Sequence, residues 1–383
     1  MAPADDLESI SGLWQPRINL KHMYYGSGCV EQHLLDTLPS SSSKVFIITG
    51  TSLATKTPLV HQLEEKLGKY HAGTISGIGQ HGPIADVERA VDMISSHPEV
   101  DTIISLGGGS PIDTAKVISL RVKESRGAFL THLTIPTTLS AAECTAGGGY
   151  TKADGVKVGL RAPEMAVAAI FYDPHYARFT PKDLWLSTGM RAMDHAVECM
   201  YHPSSAEVPW KALSIWAVGE LFECLPKARD SHPDDEVVMT RLMLAAYASS
   251  GLKGENLKGG MGLSHSLGHA LGSPYGIPHG ITSCMTLGKV VKLKAYESTN
   301  SAQQICRLLP SVGLPFTGDD IRDALAVGDS IIALVQSLGL EVPSLSARGV
   351  SKDQTFTIAQ RALGGVAEGL VFDQVLGLVQ TLF

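Results

Sequence analysis

Three histidines crowd residues 261–280, MGLSHSLGHALGSPYGIPHG. His265 and His269 are four apart, so on a helix they share one face. His279 follows a Ser-Pro-Tyr-Gly-Ile-Pro stretch, turn chemistry that can fold it back beside them. Imidazoles gathered in this way suit either a divalent metal or proton transfer. A second chemical feature lies upstream, where Gly107-Gly108-Gly109-Ser110 directly follows an apolar run and directly precedes a helical pattern. Glycines there let the backbone approach a phosphate, and the helix start supplies free N–H groups and a favourable dipole. A tight turn alone would use the same glycines, but the position after a buried strand favours anion binding, with Ser110 as cap or donor. Asp113 and Lys116 come next. As an exposed i, i+3 pair they would contribute roughly a few tenths of a kcal/mol; their nearness to the glycine loop favours a part in the site.

These residues need a frame, and the first half of the chain supplies one. Lys44 to Thr49, Thr102 to Leu106, Leu133 to Pro136 and Ala168 to Tyr172 read as buried strands, followed by turns and helical patterns such as Leu59 to Leu67. Strand–turn–helix repetition implies a parallel sheet with helices on both faces. After Asp173-Pro174 strand signals nearly vanish. Lys182 to Tyr201, Trp210 to Leu225, Glu236 to Gly251, Gly262 to Leu271 and Ile321 to Leu338 carry helical spacing instead. The expected fold class is an α/β dinucleotide-binding domain with a parallel sheet over residues 1–177, then an all-α domain over 178–383.

Bulk properties narrow the function. A chain of 383 residues is long enough for two cores. The net charge of -7 argues against a nucleic-acid partner, which would call for a basic face. No apolar run is long enough for a membrane span. The opening residues MAPADDLESISGLW are acidic and lack the apolar core of a secretory signal. Six scattered cysteines without a CxxC pair fit reduced thiols, so a cytoplasmic enzyme is expected.

Four ordered motifs carry a resemblance. GGGSPIDTAK (107–116), IPTTLSAAECT (135–145), GMRAMDHAVE (189–198) and the GLSHSLGHALG…PHG block (262–280) together resemble the iron-containing alcohol dehydrogenase family over nearly the whole chain. The resemblance implies an NAD or NADP site on the first domain, formed by Gly107, Gly108, Gly109, Ser110, Asp113, Thr137, Thr138 and Ser140. Lys157 matches a family lysine near the cofactor; by itself it reads equally as a solvated lysine. Gly50 stands where the family often has an aspartate that contacts the adenosine ribose. Its loss removes repulsion of a 2′-phosphate, so NADPH is expected to be accepted as well as NADH. The short spacing between Thr138 and Glu143 is similar to that of maleylacetate reductases, although Leu139 and Ala142 depart from their pattern. A homodimer is also implied, with residues 18–27 joining sheets across subunits.

In the family, an aspartate and a histidine four apart, plus two later histidines, hold the metal, which would be iron or zinc. His195, His265 and His279 match the histidines and His269 matches a neighbour, but the aspartate position is Arg191. Arginine stays protonated, offers no lone pair and repels a cation. Asp194 lies about 100° around the helix from His195, which suits pairing with Arg191 or orienting a histidine. The expectation is an enzyme without a metal ion. Arg191 would bind a substrate carboxylate or polarise a carbonyl, and the histidines would move the proton that accompanies hydride transfer. The expected reaction is NAD(P)H-dependent reduction of a small carbonyl or enoate that bears an acid group. A metal-dependent alcohol dehydrogenase and a non-redox lyase or dehydratase on the same scaffold are the alternatives.

Overall fold

The computed structural model describes residues 14–15, 19–79, 82–153, 157–340 and 342–383, with the side chain of Lys157 outside this set. The N-terminal residues 1–13, read above as non-secretory, also lie outside the described residues. Strands are β1 (His22–Tyr25), β2 (Val45–Thr49), β3 (His71–Ile75), β4 (Thr102–Gly107), β5 (Thr131–Pro136), β6 (Gly147–Thr151), β7 (Lys157–Arg161) and β8 (Ala169–Tyr172). Helices in the first part are α1 (Cys29–His33), α2 (Thr51–Lys56), α3 (Leu59–Leu67), α4 (Ile84–Ser95), α5 (Gly109–Arg126) and α6 (Pro174–Ala177). The later helices are α7 (Lys182–Tyr201), α8 (Ala212–Ser231), α9 (Glu236–Ser250), α10 (Leu263–Tyr275), α11 (His279–Ala295), α12 (Thr299–Cys306), α13 (Asp320–Ser337), α14 (Thr355–Ala362) and α15 (Leu370–Gln380).

The chain forms two compact units. One comprises Arg17–Lys182 with Ser231–Tyr247, the other Met1–Pro16, Asp183–Asp230 and Ala248–Phe383. The first unit holds a six-stranded sheet in the order β1-β8-β5-β4-β2-β3, with every pairing parallel. Its central strands are buried on both faces, which is why they read as unbroken apolar runs. Successive residues feed opposite cores. Val45, Ile47, Ile104 and Leu106 pack with α3, while Phe46, Ile48 and Ile103 pack with α4 and α5. β6 and β7 form a separate antiparallel hairpin.

The second unit is helical. α7 is buried from Trp185 to Met200, the pattern of a central helix enclosed on all sides. A core of Leu267, Leu271, Met285, Val290, Ile358 and Val375 draws α10, α11, α14 and α15 together. No described helix is long and apolar enough to cross a membrane.

Candidate functional site

In the α/β unit the glycine loop lies where β4 ends and α5 begins. Gly108 caps α5 with no side-chain acceptor, so the first N–H groups of an 18-residue helix are not consumed by a cap. Thr137 closes on the loop by donating its N–H to the Gly107 carbonyl at 2.9 Å. A Cβ on Gly108 would meet Thr138 Cγ2 at 2.9 Å, and one on Gly109 would meet Ser140 Oγ at 3.5 Å. Thr138 and Ser140 hydroxyls lie 3.1 Å apart. Gly107 to Ser110, Thr137, Thr138 and Ser140 are thus gathered at one strand end, a cradle of N–H and O–H donors that fits a nucleotide phosphate. Gly50 directly follows β2, the neighbour of β4, and caps α2. Lys157 has its backbone in β7, paired with Thr151.

The Asp113–Lys116 pair is not the exposed pair that the bare i, i+3 spacing would suggest. Lys116 is fully buried, not a solvated partner, and its distance to Asp113 is a loose 3.5 Å. Its ammonium donates to the carbonyls of Ala142 (2.7 Å) and Gly147 (3.0 Å) and to Thr145 Oγ1 (2.8 Å). It therefore ties the helix behind the phosphate loop to the segment entering β6. Glu143 lies close by, buried, and accepts from Tyr172 Oη at 2.7 Å. Burial pushes its carboxyl upward.

In the helical unit α7, α10 and α11 bring the histidines together. Ring centroids are 4.7 Å apart for His195 and His265, 6.1 Å for His265 and His269, and 5.3 Å for His269 and His279. Close helix approach makes this possible: a Cβ on Gly280 would stand 2.6 Å from the Ser187 backbone. Burial, followed by the charges of Arg191 and neighbouring imidazoles, holds His195 and His265 well below the usual histidine range. Both rings are therefore neutral at physiological pH.

Arg191 lies in this group, 7% exposed. Its Nη1 donates to Asp194 Oδ2 at 3.3 Å and to Ser283 Oγ at 3.4 Å. No described hydrogen bond uses its Nη2 or Nε. Burial lowers its pKa, against the opposing pull of Asp194 and Glu198. Asp194 Oδ2 also accepts from Ser264 Oγ (3.0 Å) and Ser283 Oγ (2.6 Å), so one oxygen joins three helices. The other, Oδ1, stands 3.9 Å from His265 Nδ1; neither atom has a hydrogen-bond partner among the described residues.

Sequence reasoning missed Glu198. It is fully buried and accepts the backbone N–H groups of Ser264 (2.7 Å) and His265 (3.2 Å), so it caps α10 and fixes the first histidine on that helix. A Cβ at Gly262 would come within 2.5 Å of its carboxyl, which is why a glycine precedes the helix. The signal in sequence was an acid at i+4 from Asp194, on the same face of one helix. Burial, then the Asp194 charge, drives its pKa well above the usual carboxylate range.

The donor set bears on metal binding. Arg191 puts a cation where the family has a ligand. Among the described residues, Asp194, Glu198 and His265 have ligand atoms within 4.8 Å of one another, and His195 and His279 do not join that group. Asp194 Oδ2 is taken by Arg191, Ser264 and Ser283, and Glu198 accepts two backbone N–H groups. The guanidinium 3.3 Å from Asp194 opposes a divalent cation in that group.

Comparison with known proteins agrees in both halves. Residues 21–174 match the family described as iron-containing alcohol dehydrogenase, and residues 185–374 match the Fe-containing alcohol dehydrogenase family, C-terminal. Maleylacetate reductase 2 of Cupriavidus pinatubonensis is 29% identical over 262 residues, covering 68% of this chain and 67% of that protein. Dehydrogenase ALT3 of Alternaria alternata is 27% identical, covering 87% of this chain and 93% of its own length. The crystal structure of maleylacetate reductase from Agrobacterium tumefaciens superposes with a TM-score of 0.79 at 22% identity, covering 97% of this chain and 98% of that one, a likeness of fold.

Proposed function

The chain belongs to the iron-containing alcohol dehydrogenase family of NAD(P)-dependent oxidoreductases, and from that premise we propose that it reduces a small carbonyl or enoate compound bearing a carboxylate, without a metal ion. The reading is supported by its likeness to maleylacetate reductases. One observation carries it: a buried guanidinium sits among the histidines with Nη1 anchored and Nη2 and Nε left to meet a ligand.

Reduced nicotinamide, when bound, supplies the hydride. The rest falls to the chain. Gly107 to Ser110, with Thr138 and Ser140, hold the pyrophosphate, and the lack of a carboxylate at Gly50 lets NADH and NADPH both enter. Arg191 grips the substrate carboxylate through Nη2 and Nε while Asp194 steadies Nη1. That fork orients the substrate and offsets negative charge growing beside it. The series His195, His265, His269 and His279 relays the proton that follows hydride addition, each ring taking up a proton on one nitrogen as it gives one from the other. Asp194 and Glu198 hold rings and helices in place.

The proposal extends to a homodimer in the cytoplasm, a setting consistent with six cysteines that form no disulfide among the described residues. The grouping of Asp194, Glu198 and His265 favours a second reading, a metal-dependent alcohol dehydrogenase. The test is turnover followed by loss of reduced-nicotinamide absorbance, with matched carbonyl compounds that carry or lack an acid group. Preference for the acidic member supports the first reading. Equal rates, lost on chelation, support the second.

A further inference from the structure

The order of the sheet locates more than the phosphate loop. From β2 the chain runs outward to β3 on one side, then to β4, β5 and β8 on the other. In open α/β sheets the ligand crevice forms at the carboxyl ends of the strands flanking such a reversal, here β2 and β4. The glycine loop leaves β4, and Gly50-Thr51-Ser52 leaves β2. On the far side of the glycine loop, Thr138 and Ser140 already crowd Gly108 and Gly109. The adenosine half of a dinucleotide therefore falls over the ends of β2 and β3.

Gly50 brings no carboxylate there to hold a ribose 2′-hydroxyl. A hydroxyl and a cation stand nearby instead. Thr51 Oγ1 and Arg89 Nη2 each lie 3.7 Å from the point that a Cβ on Gly77 would occupy. Gly77, at φ +90°, leaves that space without a side chain. Arg89 comes from α4 and is half exposed. Its Nη2 donates to the Ser76 carbonyl at 3.5 Å and its guanidinium pairs with Asp86 at 3.2 Å. Asp86 is itself fixed, accepting the Gly79 N–H at 2.9 Å, so the guanidinium is held at the end of β3. A guanidinium and a hydroxyl about one glycine match a phosphomonoester dianion, which takes charge-assisted bonds from both.

We propose that Arg89 and Thr51 read the 2′-phosphate of the adenosine ribose, so that the enzyme prefers NADPH over NADH. This rests on the nucleotide site described above. The test measures dissociation constants for NADPH and NADH by tryptophan-to-nicotinamide energy transfer, in the intact enzyme and in Arg89→Gln and Gly50→Asp variants. Intact enzyme should bind NADPH about tenfold more tightly, and Arg89→Gln should remove most of that advantage while leaving NADH binding within about twofold. Gly50→Asp should weaken NADPH selectively as well. Equal binding of the two nucleotides by intact enzyme, or an Arg89→Gln loss shared by both, overturns the inference and leaves the cofactor site standing. Failure of both nucleotides to bind overturns the inference together with the site.

Discussion

Arg191 pairs with Asp194, and in the proposed reaction it must also hold a substrate acid. Arg191→Lys keeps a positive charge but loses the planar fork. We expect KM for an acid-bearing substrate to rise about tenfold with a smaller change in kcat, read from steady-state kinetics. Histidines supply a second residue-scale prediction. His132, buried in β5 with Nε2 2.8 Å from Ser105 Oγ, is pushed down to about 3 by burial and the Lys116 charge. The unfolded chain protonates this site near pH 6.5, so between there and about pH 3 it holds the extra proton. Stability must fall as pH falls through that window. From this site alone the loss is about 2 kcal/mol between pH 6.5 and 5, and His132→Gln should flatten the slope in urea unfolding. His195 and His265, depressed in the same direction, act with the same sign. At this scale, Arg191, Asp194 and His195 were joined to the other histidines through the family resemblance, while His265 and His269 were legible from helical spacing and His279 from the turn before it. Glu198 and Lys116 were not, because their partners are backbone atoms in segments far along the chain.

Elements hold the histidines still. Glu198 ends the N-terminus of α10, and removing its carboxyl leaves two buried N–H groups without an acceptor. Glu198→Ala should cost about 1–3 kcal/mol in chemical unfolding and lower kcat more than it raises KM, since His265 loses its fixed start. Unchanged stability and kcat would mean that α10 is anchored elsewhere. Legibility also differed by element. β2, β4, β5 and β8 showed as apolar runs because both faces of each are buried. β1 (HMYY) and β3 (HAGTI) are the sheet edges, partly exposed, and carry polar residues that mask a strand. β6 begins with three glycines, which read as loop until the hairpin is seen. In the second unit α7, α8, α10 and α13 were plain from their 3.6-residue spacing, although the end of α8 was placed too early, whereas α11, α12, α14 and α15 were not read.

For the whole molecule, each unit carries one group of candidate functional side chains: the proposed nucleotide cradle in the α/β unit, the arginine and histidines in the helical one. The sequence showed the change from alternating strands and helices to helices alone. It did not show that Ser231–Tyr247 groups with the sheet. That segment looks like any helix of the second half, and only tertiary packing assigns it. The account of the molecule turns on Arg191 standing in for a metal ion. The most direct measurement is NADPH oxidation with an acid-bearing enoate, on enzyme before and after chelation, with metal content taken by mass spectrometry on the same samples. The account predicts turnover that chelation leaves unchanged and far less than one metal ion per chain. Stoichiometric metal, removed by the chelator together with activity and restored with it, would contradict it.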